Sequence, residues 1–162
     1  MTQHAPSALH PAEASMLPCC SDAAAADAST RHVQGGFTLQ FHAPGSAEGG
    51  SSQGPSLTGA ATGDLAGEVF IEVLPATVAE GSARTVSQSG AKITITRPDG
   101  QLDGVAAGLL DHATGEHSNW IYWTGGTGSY ANATGRVITD GPINLATGQE
   151  HSSYHGTLIT RP

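Results

Sequence analysis

The sequence is short of positive charge, of cysteine and of long apolar runs. Its 162 residues contain 6 lysines and arginines against 14 aspartates and glutamates, for a formal net charge of −8. This charge would repel a phosphate backbone before any specific contact formed, so we expect no nucleic-acid partner. Charged residues make up 12% of the chain, and the 22 glycines favour many short strands and turns over exposed helices.

The two cysteines, Cys19 and Cys20, are adjacent and cannot cross-link distant parts of a fold. We interpret them as thiols and expect a cytoplasmic protein, although a redox or soft-metal role for the pair stays open. Residues 1–30 contain no lysine or arginine, and their longest apolar run is Ala23–Ala26. That run is too short for a signal peptide or a membrane span, so we expect no membrane partner.

The pattern of the chain changes near Val33. Residues 1–31 are rich in Ala, Pro and Ser without apolar periodicity, which predicts a flexible N-terminal tail. Residues 32–162 have short alternating runs bounded by turn residues, which predict an all-β domain. The predicted strands are Phe37–Phe41, Ser56–Thr62, Glu68–Leu74, Ala83–Gln88, Ala91–Thr96, Gly104–Leu110, Ser118–Thr124, Gly135–Thr139 and Ser152–Thr160. They suffice for a single small antiparallel β-barrel of about eight strands, because closure removes unpaired edges.

Two features predict the turns between these strands. The segment Arg97-Pro-Asp-Gly-Gln101 combines a proline that fixes φ with an Asp-Gly pair, which predicts a tight hairpin. The tripeptide Ala-Thr-Gly occurs at 61–63, 113–115, 133–135 and 146–148. Because these spacings are irregular, they indicate re-used hairpin corners in a meander and not a solenoid repeat.

The segment Trp123-Thr-Gly-Gly-Thr-Gly-Ser-Tyr-Ala-Asn-Ala-Thr-Gly135 is a glycine-rich turn in which Tyr130 is the candidate anchor. It resembles the Gly-Gly-Thr-Gly-x-[Phe/Tyr] turn of dirigent and allene oxide cyclase-like β-barrels, most strongly over residues 118–139. A broader resemblance to bacterial barrels of this superfamily covers residues 56–162. It continues through Asn144-Leu-Ala-Thr-Gly148 and Gly156-Thr-Leu158. The resemblance implies a calycin/allene oxide cyclase-like barrel.

The resemblance also implies a function, because members of this superfamily bind small hydrophobic molecules and steer their cyclisation or coupling. By analogy, the first hypothesis is a cofactor-independent cyclase or isomerase that orients a hydrophobic, natural-product-type substrate inside the barrel. The alternative is a barrel that binds or guides such a molecule without turning it over. The resemblance carries no catalytic residue across, since the matched segment is a turn.

Catalytic candidates come from the residues themselves. The predicted strand Glu68–Leu74 has Val69, Ile71 and Val73 on one face, which makes that face the natural core and leaves Glu72 in solvent. In the inverse registry Glu72 lies inside the barrel, where it is suited to acid or base catalysis. We select Glu72 as the candidate acid or base.

Aromatic residues provide the candidate binding wall. Trp120 and Tyr122 share one face of the predicted strand Ser118–Thr124, and Trp123 lies on the other. We predict Trp120, Trp123, Tyr130 and Phe70 as substrate-binding residues and Tyr122 as a catalytic hydrogen-bond donor. Simple burial in a core is the competing interpretation.

The eight histidines do not form a metal-binding pattern. His151 and His155 share a strand face but lie about 13 Å apart, too far for one zinc ion. A second set of candidate ligands flanks the turn at 113–115 and consists of Asp111, His112, Glu116 and His117. A turn position favours solvent exposure for these side chains. We therefore predict no metal, no cofactor and a small hydrophobic molecule as partner, and leave homo-oligomer formation open.

Overall fold

The computed structural model describes residues 28–46, 54–75, 77–78 and 86–162. The strands are β1 (Ser29–His42), β2 (Ser56–Ala61), β3 (Gly67–Val73), β4 (Thr77–Val78), β5 (Val86–Arg97), β6 (Gly100–Asp111), β7 (Glu116–Gly126), β8 (Thr134–Asn144) and β9 (Gln149–Thr160). Two 3-10 turns, at Gly63–Leu65 and Gly128–Tyr130, are the helical elements of these residues. No helix in the described ranges has the length and hydropathy to cross a membrane.

Eight of the strands form a closed antiparallel barrel in the order β3, β2, β1, β9, β8, β7, β6, β5. The barrel closes where β5 pairs with β3, for example at Ile93 opposite Ile71. The two-residue strand β4 pairs with the start of β5. Closure leaves the eight strands without an unpaired edge, and it confirms the predicted all-β barrel of about eight strands.

Alternation along the strands separates a barrel interior from an outer surface. On β7, Ile121 and Trp123 are buried inside, while Trp120 and Tyr122 are exposed outside. The other strands follow the same period, and their inward residues make one core. Its largest fully buried members are Tyr154, Leu65, Ile93, Ile95, Leu102, Leu158, Val33 and Val137.

Two of the four Ala-Thr-Gly copies, 113–115 and 146–148, form the same hairpin corner. Asp111 accepts a side-chain hydrogen bond from a backbone N–H two residues later at 2.8 Å, and Asn144 does so at 3.0 Å. Gly115 and Gly148 complete these corners with φ of 80° and 74°, which disfavour a side chain. The predicted re-use of this corner is therefore confirmed for these two copies.

The hairpin predicted at Arg97–Gln101 is also present. Pro98 and Asp99 form the turn between Arg97, the last residue of β5, and Gly100, the first of β6. The second of these strands, β6, also positions the glycine-rich turn, because Thr127 and Gln101 exchange hydrogen bonds of 2.8 and 3.1 Å.

Most strands extend beyond their predicted bounds, and two differences change the predicted organisation. Residues 86–88 of the predicted strand Ala83–Gln88 belong to one strand with Ala91–Thr96, because Ser89 and Gly90 continue the ladder with β6 instead of turning. Strand β1 begins at Ser29, so the end of the predicted tail, residues 29–31, pairs with β9 as part of the barrel sheet. Residues 1–27, with Cys19 and Cys20, and residues 83–85 lie outside the described residues.

Candidate ligand-binding site

The two ends of the barrel are built differently. We call one the sealed end: here β5 turns into β6, and both 3-10 turns, Gly63–Leu65 and Gly128–Tyr130, lie here. We call the other the open end: here β6 turns into β7 and β8 turns into β9. The inward residues near the sealed end are apolar or tyrosine, whereas the open end surrounds a cavity.

Tyr154 links the interior of the barrel to the sealed end. Its hydroxyl donates to the carbonyl of Thr62 at 2.7 Å and accepts from the backbone N–H of Leu65 at 2.7 Å. Its ring lies 5.0 Å from the ring of Phe37, centre to centre. Desolvation raises the pKa of the Tyr154 phenol, so the hydroxyl stays protonated and keeps both hydrogen bonds.

Tyr130 anchors the glycine-rich turn at the sealed end, as the sequence predicts. Its ring is buried, and its hydroxyl donates to Asp99 Oδ2 at 2.9 Å. The guanidinium of Arg97 lies 5.6 Å from the ring centre and donates to the carbonyl of Asp64 at 3.0 Å. The hydrogen bond from Tyr130 lowers the pKa of Asp99, and desolvation raises the pKa of Tyr130.

A cavity of about 170 Å³ lies inside the open end. Its wall is mainly apolar and includes Phe37, Leu39, Leu57, Ile71, Ile93 and Ile121. Phe41 and Leu109 also border it and are exposed, which places its mouth at the open end. The polar residues in the wall are Ser89, His117, Asn119, Thr139 and Glu150. A concave apolar site with a few polar side chains is the usual form of a small-molecule pocket.

His117 and Glu150 form a buried polar pair in this wall. Nε2 of His117 lies 3.2 Å from Oε1 of Glu150, and the side chains are only 6% and 12% exposed. The two atoms are within ion-pair distance but not aligned for a hydrogen bond, and within the described residues this Nε2 has no hydrogen-bond partner. Glu150 Oε1 accepts a hydrogen bond from Ser152 Oγ at 2.9 Å. Burying such a pair costs free energy unless hydrogen bonds satisfy its remaining donor and acceptor atoms.

Asn119 and Thr139 are the neighbouring polar residues of the wall. They face each other across β7 and β8, and Nδ2 of Asn119 donates to Oγ1 of Thr139 over a long 3.4 Å. Gly108 on β6 makes room for the amide, because a Cβ there would come into severe conflict with Oδ1 of Asn119. Among the side-chain hydrogen bonds described, the amide makes only this long one, so it has further donor and acceptor capacity beside the cavity.

Four of the residues predicted from the sequence lie on the outer surface. Glu72 is outside, 3.4 Å from Nζ of Lys92, because the Val69, Ile71 and Val73 face of β3 points inward. Phe70 is exposed beside it. On β7, Trp120 and Tyr122 are 40% and 48% exposed. The inverse registry considered for Glu72 is thus wrong, and neither of the predicted catalytic residues, Glu72 and Tyr122, reaches the cavity.

The two other predicted residues, Trp123 and Tyr130, are buried in the barrel but do not line the cavity. Trp123 follows Ile121 on the inner face, one step nearer the sealed end, and Tyr130 belongs to that end. Their burial supports the competing interpretation of core packing for these two aromatics.

Sequence reasoning placed His117 in an exposed turn, but it lies in β7 and its side chain is buried. The signal was present in the period-2 pattern, since His117, Asn119, Ile121 and Trp123 share one face. Asp111, His112 and Glu116 do not join it: in the described part of the chain, no three His, Cys, Asp or Glu side chains group as metal ligands. Nε2 of His112 instead forms a hydrogen bond of 2.8 Å with Oγ of Ser87.

Fold and site together define this chain as a closed antiparallel β-barrel with an interior cavity open at one end. No family model matches the sequence, and no curated protein has significant similarity to it. Among solved structures, the barrel is similar to the pterocarpan synthase dirigent protein GePTS1, with a TM-score of 0.37 and 12% sequence identity. The similarity covers 82% of this chain and 86% of that chain. At this level it assigns no activity to this chain.

Proposed function

We propose that the barrel binds a small, largely apolar molecule in the cavity at its open end, as a binding or guiding protein. The observation that carries the proposal is the cavity of about 170 Å³ with a mainly apolar wall. An engineered apolar cavity of about 150 Å³ in another protein is enough to hold benzene. A ligand with one ring and short alkyl substituents therefore matches the space.

Filling the cavity tests this proposal. Ala106 on β6 lines the cavity, and its neighbour Ala107 is exposed on the outer surface. We expect p-cymene, an apolar one-ring probe, to bind the wild-type protein and to lose about tenfold or more in affinity in Ala106→Phe. The matched control Ala107→Phe should bind like the wild type.

Binding is measured by isothermal titration calorimetry, with each variant first checked for cooperative melting. If Ala106→Phe fails to fold, Ala91→Leu offers a smaller filling of the same cavity. Equal affinity in the filled variants and in Ala107→Phe, or no binding to the wild type, contradicts the proposal.

A second candidate is turnover of the ligand by cyclisation or isomerisation without a cofactor. The observation that favours it is the placement of an imidazole and a carboxylate 3.2 Å apart in the cavity wall. Such groups can accept and return a proton, and a shaped cavity holds reacting atoms in orientation. Neither Glu72 nor Tyr122 has a part in this candidate, because both lie outside the barrel.

Incubation with acyclic terpenoid alcohols distinguishes turnover from binding alone. Cyclisation or isomerisation conserves mass, so gas chromatography with mass spectrometry would find products of unchanged mass and new retention time. Turnover predicts that such products form with the wild type and disappear in Glu150→Gln. Recovery of every compound unchanged contradicts turnover and leaves binding.

A further inference from the structure

We infer that the cavity selects ligands that carry one neutral hydroxyl group, such as a phenol or a terpenoid alcohol, and that Glu150 and His117 hold that hydroxyl. This inference rests on the proposed function, because it concerns the same cavity. It starts from a place in the apolar wall where a buried carboxylate and a buried imidazole lie side by side.

The chemistry of the pair defines the group that fits. Glu150 is an acceptor, and the carboxylate oxygen 3.2 Å away favours the His117 tautomer with a proton on Nε2, because two facing lone pairs would repel. A hydroxyl group both donates and accepts, so it can donate to the Glu150 carboxylate and accept from Nε2 of His117. An ammonium only donates, and a carboxylate only accepts.

The surroundings of the pair favour a neutral ligand over a charged one. Glu150 pairs in register with Leu39 on β1 and Ile143 on β8, both of which border the cavity. A charged ligand would lose its hydration among these side chains. An anion would also approach the carboxylate of Glu150 in a chain with a formal charge of −8.

The incomplete hydrogen bonding of the pair is the independent observation. In the described part of the chain, Nε2 of His117 is buried without a hydrogen-bond partner and borders the cavity, whereas Nε1 of Trp123, which also has no partner, does not border it. Ser152 occupies only Oε1 of Glu150 among the side-chain hydrogen bonds described. A ligand hydroxyl at this point would complete the pair.

Four probes on one carbon skeleton test the inference: p-cymene, thymol, 4-isopropylbenzoate and 4-isopropylbenzylamine. We expect thymol to bind wild-type protein about tenfold more tightly than p-cymene, as a hydrogen bond to a charged group would give. The benzoate and the amine should bind more weakly than thymol. Isothermal titration calorimetry measures all four.

Glu150→Met removes the acceptor and keeps the side-chain length. It should reduce the preference for thymol over p-cymene to about one, because the acceptor for the ligand hydroxyl is lost. The matched control is Glu72→Met, which removes a carboxylate on the outer surface and should keep the wild-type preference. The wild-type comparison of probes needs no variant, so it tests the inference even if Glu150→Met fails to fold.

The possible outcomes distinguish a failure of this inference from a failure of the proposed function. If p-cymene and thymol bind wild type equally, or if the amine or the benzoate binds more tightly than thymol, the inference is wrong and the apolar cavity stands. A thymol preference that survives in Glu150→Met also overturns it. If none of the four probes binds the wild type, both the proposed function and the inference fail.

Discussion

At the sealed end of the barrel the hydroxyls of Tyr130 and Tyr154 have partners at 2.9 and 2.7 Å, whereas at the open end His117 and Glu150 face each other without an aligned hydrogen bond. A second difference between the two ends is where the other buried polar residues of the described chain lie. His42, Ser56, Ser87, Thr139 and Ser152 all lie in the half of the barrel nearer the open end. Apart from the two tyrosine hydroxyls and the indole N–H of Trp123, the buried polar side chains of the described residues thus lie in one half of the barrel.

This difference indicates which end of the barrel stabilises the fold and which end binds the ligand. A buried polar group with its partners rigidifies a fold, while one with spare hydrogen-bonding capacity costs free energy until a ligand completes it. The tyrosine hydroxyls of the sealed end have the first arrangement, and the His117–Glu150 pair at the open end has the second. We therefore expect substitutions at the sealed end to change the free energy of unfolding, and substitutions at the open end to change binding.

The largest effect in this comparison is expected for Tyr154→Phe. The substitution leaves the Leu65 N–H and the Thr62 carbonyl without the hydroxyl that now joins them, which should lower the free energy of unfolding by about 1–3 kcal/mol. Tyr122→Phe is the matched control, because its exposed hydroxyl should contribute less than about 0.5 kcal/mol. Urea denaturation measures both. Equal losses of unfolding free energy in the two variants would contradict the stabilising role of the sealed end.

A smaller effect is expected from acid. The hydrogen bond from Tyr130 lowers the pKa of Asp99 in the folded protein, so the unfolded chain binds this proton more readily. The resulting stabilisation is present above the unfolded pKa of about 3.9 and is lost as the pH falls through the folded value. Asp99→Asn should thus melt below wild type at pH 7.

The difference in melting temperature between Asp99→Asn and wild type should narrow as the pH is lowered below about 3.9. The side chain of Asp99 is half-exposed, so solvent screening keeps the effect small. Thermal melts of both proteins at several pH values between neutral and strongly acidic measure it. A difference that stays constant across this range would show that the carboxylate charge has no part in the sealed end.

The sequence predicted the barrel better than the site, for a physical reason. Alternation and turn residues are local, so the strands, the Arg97–Gln101 hairpin and the role of Tyr130 could be read directly. The contact between His117 and Glu150 is not local, since it joins β7 to β9 across intervening β8. Only the closed barrel brings these side chains together.

The predicted catalytic residues lie outside the barrel because the apolar face of each strand, and not the chemistry of its other side chains, determines which residues point inward. Glu72 and Tyr122 were chosen for their functional groups, but Ile71 and Ile121 beside them point inward because apolar burial decides the registry of a strand. Applying the same rule to β7 places His117 and Asn119 inside with Ile121. The apolar face of a strand therefore decides which of its functional groups can reach a ligand inside the barrel.

The central claim is that ligand binds at the open end and leaves the sealed end unchanged. Chemical-shift mapping by two-dimensional ¹H–¹⁵N NMR during a titration with thymol tests it most directly. We predict that the backbone amides of His117, Asn119, Ile121 and Glu150 shift with ligand, while those of Leu65 and Tyr130 do not. Shifts concentrated at the sealed end, or on the outer surface around Trp120 and Tyr122, would contradict the account, and so would a spectrum that does not change.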